Sequence, residues 1–143
     1  MSSITQVAIP NVVLQSSFSM LVIGFGTAAF ETDDGDVHKL ALMEAIKLGY
    51  RQFDTASIYG SEQALGEAIA EALKLGLINS RDELFITSKL WLSDNHPDLV
   101  IPALCKSLHH SSLVLLLLTL TARYPSLVVV NSGKVCSASF FIL

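Results

Sequence analysis

In the stretch FDTASIYGSEQALGEAIAEALKLG, Asp54 precedes Tyr59 by five residues, and the downstream SKLW holds Lys89. A phenol with an ordinary pKa of about 10 is a poor proton donor at neutral pH. An ammonium group beside it stabilises the phenolate. A desolvated ammonium in turn needs an anion, which a carboxylate supplies. A Tyr–Lys–Asp chain therefore suits proton donation to a carbonyl oxygen while hydride reaches the carbon from a nicotinamide. A structural Asp54–Lys89 pair with Tyr59 at its rim satisfies the same residues, and spacing alone leaves both readings open.

The elements that must bring these residues together alternate along the chain. ITQVAIP and NVVLQSS read as a small hairpin. SMLVIGFGT is a first strand that leaves into a tight loop. Leu42, Ala45, Ile46 and Gly49 follow a helical spacing that closes on glycine. YRQFDTA is a second strand. Ser61 then caps a helix whose apolar face is Leu65, Ala68, Ile69 and Ala72, with Gly76 as its stop. ELFITSKLW is a third strand, and Ile101, Leu104, Cys105 and Leu108 mark a third helix, which Pro102 burdens unless it lies in the first turn. LVLLLL is a fourth strand. This βαβαβαβ order predicts a parallel sheet with helical crossovers. In such sheets the loops after the strands share the rim where ligands bind. Gly24-Phe25-Gly26-Thr27, Asp54 to Tyr59 and Ser88-Lys89-Leu90-Trp91 all fall on that rim.

Composition narrows the function classes. The 143 residues suit one domain. With 51% apolar and 15% charged residues the chain is greasy for a soluble protein. It is acidic overall and has no basic stripe, which argues against nucleic acid. Cys105 and Cys136 form no metal or redox spacing, which fits a reducing, cytoplasmic compartment. MLVIGFGTAAF resembles a signal core, but no Lys or Arg precedes Lys39. SSLVLLLLTLTA, at 12 residues, is shorter than the roughly 20 of a membrane helix. All 13 carboxylates lie in residues 1–98, so the last 45 residues form a compositional break.

GYRQFDTASIYGSEQALGEAIAEAL and SRDELFITSKLW resemble the aldo-keto reductases, nearest to the plant group of polyketide and codeinone-type reductases. The likeness runs through about residue 110. It implies an α/β chain that forms the N-terminal part of a (β/α)8 TIM barrel: the hairpin, about three βα units and a fourth strand. It also implies NADPH as cofactor and a small carbonyl substrate. By the same resemblance Tyr59 is the general acid and Lys89 is its charged partner. Asp54 pairs with Lys89 and contacts the nicotinamide ribose, Gly24 and Thr27 approach the cofactor, and Trp91 walls the substrate pocket. No metal is implied.

The likeness stops where the family places a histidine after the fourth strand. Here Thr121, Ala122 or Arg123 stands at about that position. His96 lies on the catalytic rim but away from the family position, His109 and His110 lie at the opposite rim, and His38 is solvated early in the first helix. Residues 111–143 read as a divergent apolar tail, a fourth strand and then irregular chain, as a frame change or alternative splicing would leave. A barrel takes eight strands and typically about 250 residues. The expectation is a truncated, inactive reductase whose open sheet edges favour self-association. The alternative is a non-catalytic module or half-barrel that pairs with another reductase chain.

Overall fold

In the computed structural model, which describes residues 9–13, 19–28, 35–111, 115–120, 126–131 and 134–140, the first elements are an antiparallel pair. They are β1 (Asn11–Val13) and β2 (Ser19–Leu21), with Val12 opposite Met20. The expected first strand, SMLVIGFGT, is therefore divided. Its first three residues complete the hairpin, and only Phe25–Gly26 (β3) joins the main sheet. Gly24 and Gly26 offer no side chain to hold a longer strand in place. The expected ITQVAIP arm lies almost wholly outside the described residues.

The βα rhythm then follows as α1 (Gly35–Lys47), β4 (Gln52–Asp54), α2 (Glu62–Lys74), β5 (Phe85–Leu90) and α3 (Pro97–Ser111). Three further strands come after these: β6 (Leu115–Leu120), β7 (Ser126–Asn131) and β8 (Lys134–Phe140). The main sheet runs β3-β4-β5-β6-β7-β8. Its first four strands are parallel, and β7 and β8 add on antiparallel. The sheet thus has β3 and β8 at its edges and does not close into a barrel. The tail differs from the irregular chain expected after the fourth strand. Lack of a helical period leaves a strand available, and SLVVVN is rich in the β-branched residues that strands favour.

The core lies between the sheet and its helices. Leu42 and Ile46 of α1, Leu65 and Ile69 of α2, Leu104 of α3, and Phe53 and Ile86 of the strands are almost fully buried. The predicted faces of α1 and α2 are thus the packed ones. Gly76 ends α2 with φ 69°, where Leu77 N–H reaches Ala72 O at 2.9 Å and Gly76 N–H reaches Leu73 O at 3.1 Å. This is the paired-bond stop that a left-handed residue makes possible. Lys39 and Glu71 join α1 to α2 at 2.8 Å. Their hydrogen bond holds the lysine above and the glutamate below their ordinary ranges.

The face of α3 is rotated from the expected one. Leu104 and Ser107 are buried and Val100, Ala103 and Leu108 pack against the core, while Ile101 and Cys105 are exposed. Ala103 and Ser107 are small enough to let this side approach closely, so size outweighs hydrophobicity. Pro102 is the sixth residue of α3, beyond the first turn. His38 also departs from the solvated placement, because its Nε2 is buried without a hydrogen-bond partner. Among the described residues no helix is long and apolar enough to cross a membrane, and no group of three potential metal ligands occurs.

Candidate active site

β4 and β5 run parallel with Asp54 in register with Thr87. Side chains alternate across a strand. Phe53, Ile86, Ser88 and Leu90 are buried towards the helices. Asp54, Thr87 and Lys89 share the other face, where Lys89 lies two residues beyond the partner of Asp54. That offset brings their charges together: Lys89 Nζ donates to Asp54 Oδ1 and, at 3.1 Å, to the main-chain oxygen of Thr55. The aspartate is partly exposed, with 43% of its side-chain surface open against 21% for the lysine. Its carboxylate therefore faces the rim and is not sunk in the core.

Tyr59 arrives from a single 3-10 turn, Ser57–Tyr59, between β4 and α2. Tyr59 N–H bonds Ala56 O at 2.9 Å, and Gly60 leaves the turn at φ 68°. The turn carries the ring over Lys89, whose Nζ lies 4.9 Å from the ring centroid. Asp54, Lys89 and Tyr59 thus form one cluster, although no two are closer than five residues in sequence. Open space surrounds the point where a Cβ would stand on Gly60. The penalty of Gly60→Ala is therefore conformational, about 1–2 kcal/mol for a left-handed residue with a Cβ. A lower chemical-denaturation midpoint with an unchanged slope is the expected result. No change in midpoint would show that the turn is not held as described.

The remaining expected residues divide by position. Gly24 is exposed and makes room for a neighbour, since a Cβ there would stand 3.1 Å from the Gln52 side chain. Gly26, at the end of β3, has nothing within 4 Å of such a position. Thr27 is buried, with its N–H on Asp54 O at 2.9 Å and its hydroxyl on Ser61 Oγ at 2.7 Å. Trp91 follows β5 directly and is 41% exposed at the same rim. His96 is exposed and lies 3.6 Å from Asp98. His109 is exposed near the end of α3. Thr121, Ala122 and Arg123 lie outside the described residues.

The sequence reading did not anticipate the polar layer beneath the cluster. Ser61 precedes α2 but makes no side-chain capping bond. Its hydroxyl meets those of Thr27 and Thr55, the latter at 3.1 Å. Glu62, the first residue of α2, is only 4% exposed and accepts from Ser88 Oγ at 2.7 Å. Hydroxyl residues just after β3 and β4, at Thr27 and Thr55, and in the second half of β5, at Ser88, are the signal that could have pointed to this layer.

Comparison with known proteins adds to this geometry. The profile of the Aldo/keto reductase family matches residues 22–113. A 7-acetyl-epi-neemfruitin B aldo-keto reductase of Melia azedarach is 61% identical over 108 residues, covering 75% of this chain and 33% of its own length. NADPH-dependent codeinone reductase 1-4 of Papaver somniferum is 56% identical over 105 residues, with 73% and 33% covered. The chain thus spans about a third of the length of these relatives. Among solved structures, an aldo-keto reductase of Bombyx mori in complex with NADP superimposes with a TM-score of 0.70 at 38% identity. That superposition covers 77% of this chain and 36% of the silkworm protein.

Proposed function

The chain belongs to the aldo/keto reductase family, and from that premise we propose that it carries the proton-donating part of an NADPH-dependent reductase of aldehydes or ketones. The observation that supports this reading is the placement of Lys89 between the Asp54 carboxylate and the Tyr59 ring. Tyr59 gives its proton to the carbonyl oxygen. Lys89 stabilises the phenolate left behind, and Asp54 holds the lysine in place against the rim. Trp91 supplies an apolar wall beside the reacting carbonyl.

The rim fits the nicotinamide end of the cofactor. Asp54 presents a partly exposed carboxylate to a ribose, and the open space at Gly26 lets a flat ring approach the main chain. Bound there, NADPH supplies hydride to the carbonyl carbon. Thr27 borders this region with its hydroxyl engaged by Ser61 and its N–H by Asp54 O, so it shapes the rim from beneath. The Bombyx mori structure holds NADP within a chain of which this one covers 36%. We therefore place the rest of the cofactor grip outside residues 1–143. These residues alone, in a cytoplasmic setting, are expected to be catalytically silent.

The test has two arms. Titration of residues 1–143 into NADPH, followed by cofactor fluorescence, is expected to show no saturable binding. A chimera that places this chain's matching segment in codeinone reductase 1-4 is expected to oxidise NADPH with an aldehyde or ketone. A folded chimera that binds NADPH but reduces no carbonyl would sink the reductase reading, and tight, stoichiometric binding by residues 1–143 would sink the silent one. The strand edge favours a second reading. Among the described strands β8 pairs with β7 alone, a geometry that can add another strand. A non-catalytic chain that pairs with itself or with a full-length reductase would sediment as a concentration-dependent complex, and a monomer at all concentrations, both alone and mixed with codeinone reductase 1-4, would remove that reading.

A further inference from the structure

Tyr59 and Lys89 come from different elements, so something must fix the distance between them. Tyr59 lies two residues before Ser61, and Lys89 directly follows Ser88. The two stretches meet in the buried layer, where Ser88 Oγ donates to Glu62 Oε1 at 2.7 Å. Ser61, next to Glu62, holds Thr27 after β3 at 2.7 Å and Thr55 after β4 at 3.1 Å. Two consecutive residues at the start of α2 thus tie together the residues just after β3 and β4 and Ser88 within β5. Ser61, Thr55 and Ser88 have no exposed surface, and Glu62 has 4%.

Stability alone does not account for this choice of residues. A hydroxyl at the start of a helix ordinarily accepts from the main chain of its own first turn. Ser61 forgoes that bond and enters α2 with a near-helical φ of −90° and ψ of −6°. Burying a carboxylate is costly unless it is hydrogen-bonded. Apolar residues of matching shape in place of both partners of a buried bond are often nearly neutral. What a short directional bond adds is a fixed separation. We infer that Ser61 and Glu62 form a fastener, with Ser88 as its strand-side anchor, whose role is to hold the Tyr59 turn at its working distance from Lys89. They are positioning residues for the site proposed above, and the inference rests on that reading only in treating Tyr59 as the acid.

The test uses residues 1–143 labelled with 3-fluorotyrosine, with the Tyr59 fluorine resonance assigned by its loss in Tyr59→Phe. The parent protein is expected to give one narrow Tyr59 line. Ser88→Ala and Glu62→Ala are expected to broaden or split that line while the Tyr50 line stays narrow. A general loss of stability would disturb both. Glu62→Gln keeps an oxygen that accepts from Ser88 and is expected to retain the parent line. Unchanged Tyr59 lines in the alanine variants would overturn the inference. So would equal broadening in Glu62→Gln, or a parent line that is already broad. Should Glu62→Ala fail to fold, Ser88→Ala decides, because it removes one oxygen from the strand. No cofactor or substrate enters the measurement, so a responsive Tyr59 line beside an inert chimera would leave the fastener standing and the reductase reading refuted.

Discussion

Tyr59→Phe, introduced into the active chimera, is expected to lower carbonyl reduction by about 10²- to 10⁴-fold, the usual contribution of a positioned acid. The ring stays, so the contact with Lys89 Nζ at 4.9 Å from the centroid is kept. Only the hydroxyl proposed to give the proton is lost. NADPH affinity should therefore change little, and the loss should fall on kcat. Lys89→Met separates the two roles further. It keeps the length of the stem but removes the charge proposed to stabilise the phenolate, and it takes the lysine partner from the partly exposed Asp54 carboxylate. Its loss should also fall mainly on kcat, and Tyr59→Phe added to it should cost much less than it does alone, as for groups that act as a unit. Full activity in Tyr59→Phe would mean that the Tyr59 cluster is structural and that the proton comes from elsewhere.

The parts of the fold written in periodicity were legible. Leu42, Ala45 and Ile46, and Leu65, Ala68, Ile69 and Ala72, mark the buried stripes of two helices because each stripe is uniformly apolar. Asp54 and Lys89 could be brought together from strand order, since neighbouring parallel strands put same-face residues within reach. α3 was harder: small residues pack closer than large ones, and the true face uses Ala103 and Ser107 where hydrophobicity favoured Ile101. Ser61 stood at a proper capping position, yet its partners are two threonines brought near only by the assembled sheet. No local pattern carries that information. The strands β7 and β8 were missed because the lack of a 3.6-residue period was read as lack of structure, whereas antiparallel pairing asks only for an extended, apolar chain.

Phe53→Ala is expected to destabilise the chain by about 3–5 kcal/mol, the usual range for emptying a buried aromatic site. That is a large share of the roughly 5–15 kcal/mol that holds a typical domain together. Phe53 has no exposed surface, and its ring lies 6.1 Å from that of Phe25. Phe25 also meets Tyr50 edge-on at 5.7 Å, so one aromatic group spans the end of α1, β3 and β4. Little around the site can collapse into the gap, because the backbone on either side is held in the sheet by β3 and β5. Leu40→Ala is the matched control: Leu40 is 67% exposed on α1 and should shift stability by no more than about 0.5 kcal/mol. Urea unfolding of both variants measures the contrast. Similar midpoints would mean that the apolar layer between sheet and helices is not a packed core. A large shift for Phe53→Ala alone would show that the strand carrying Asp54 is held from below, as a site built on its outer end requires.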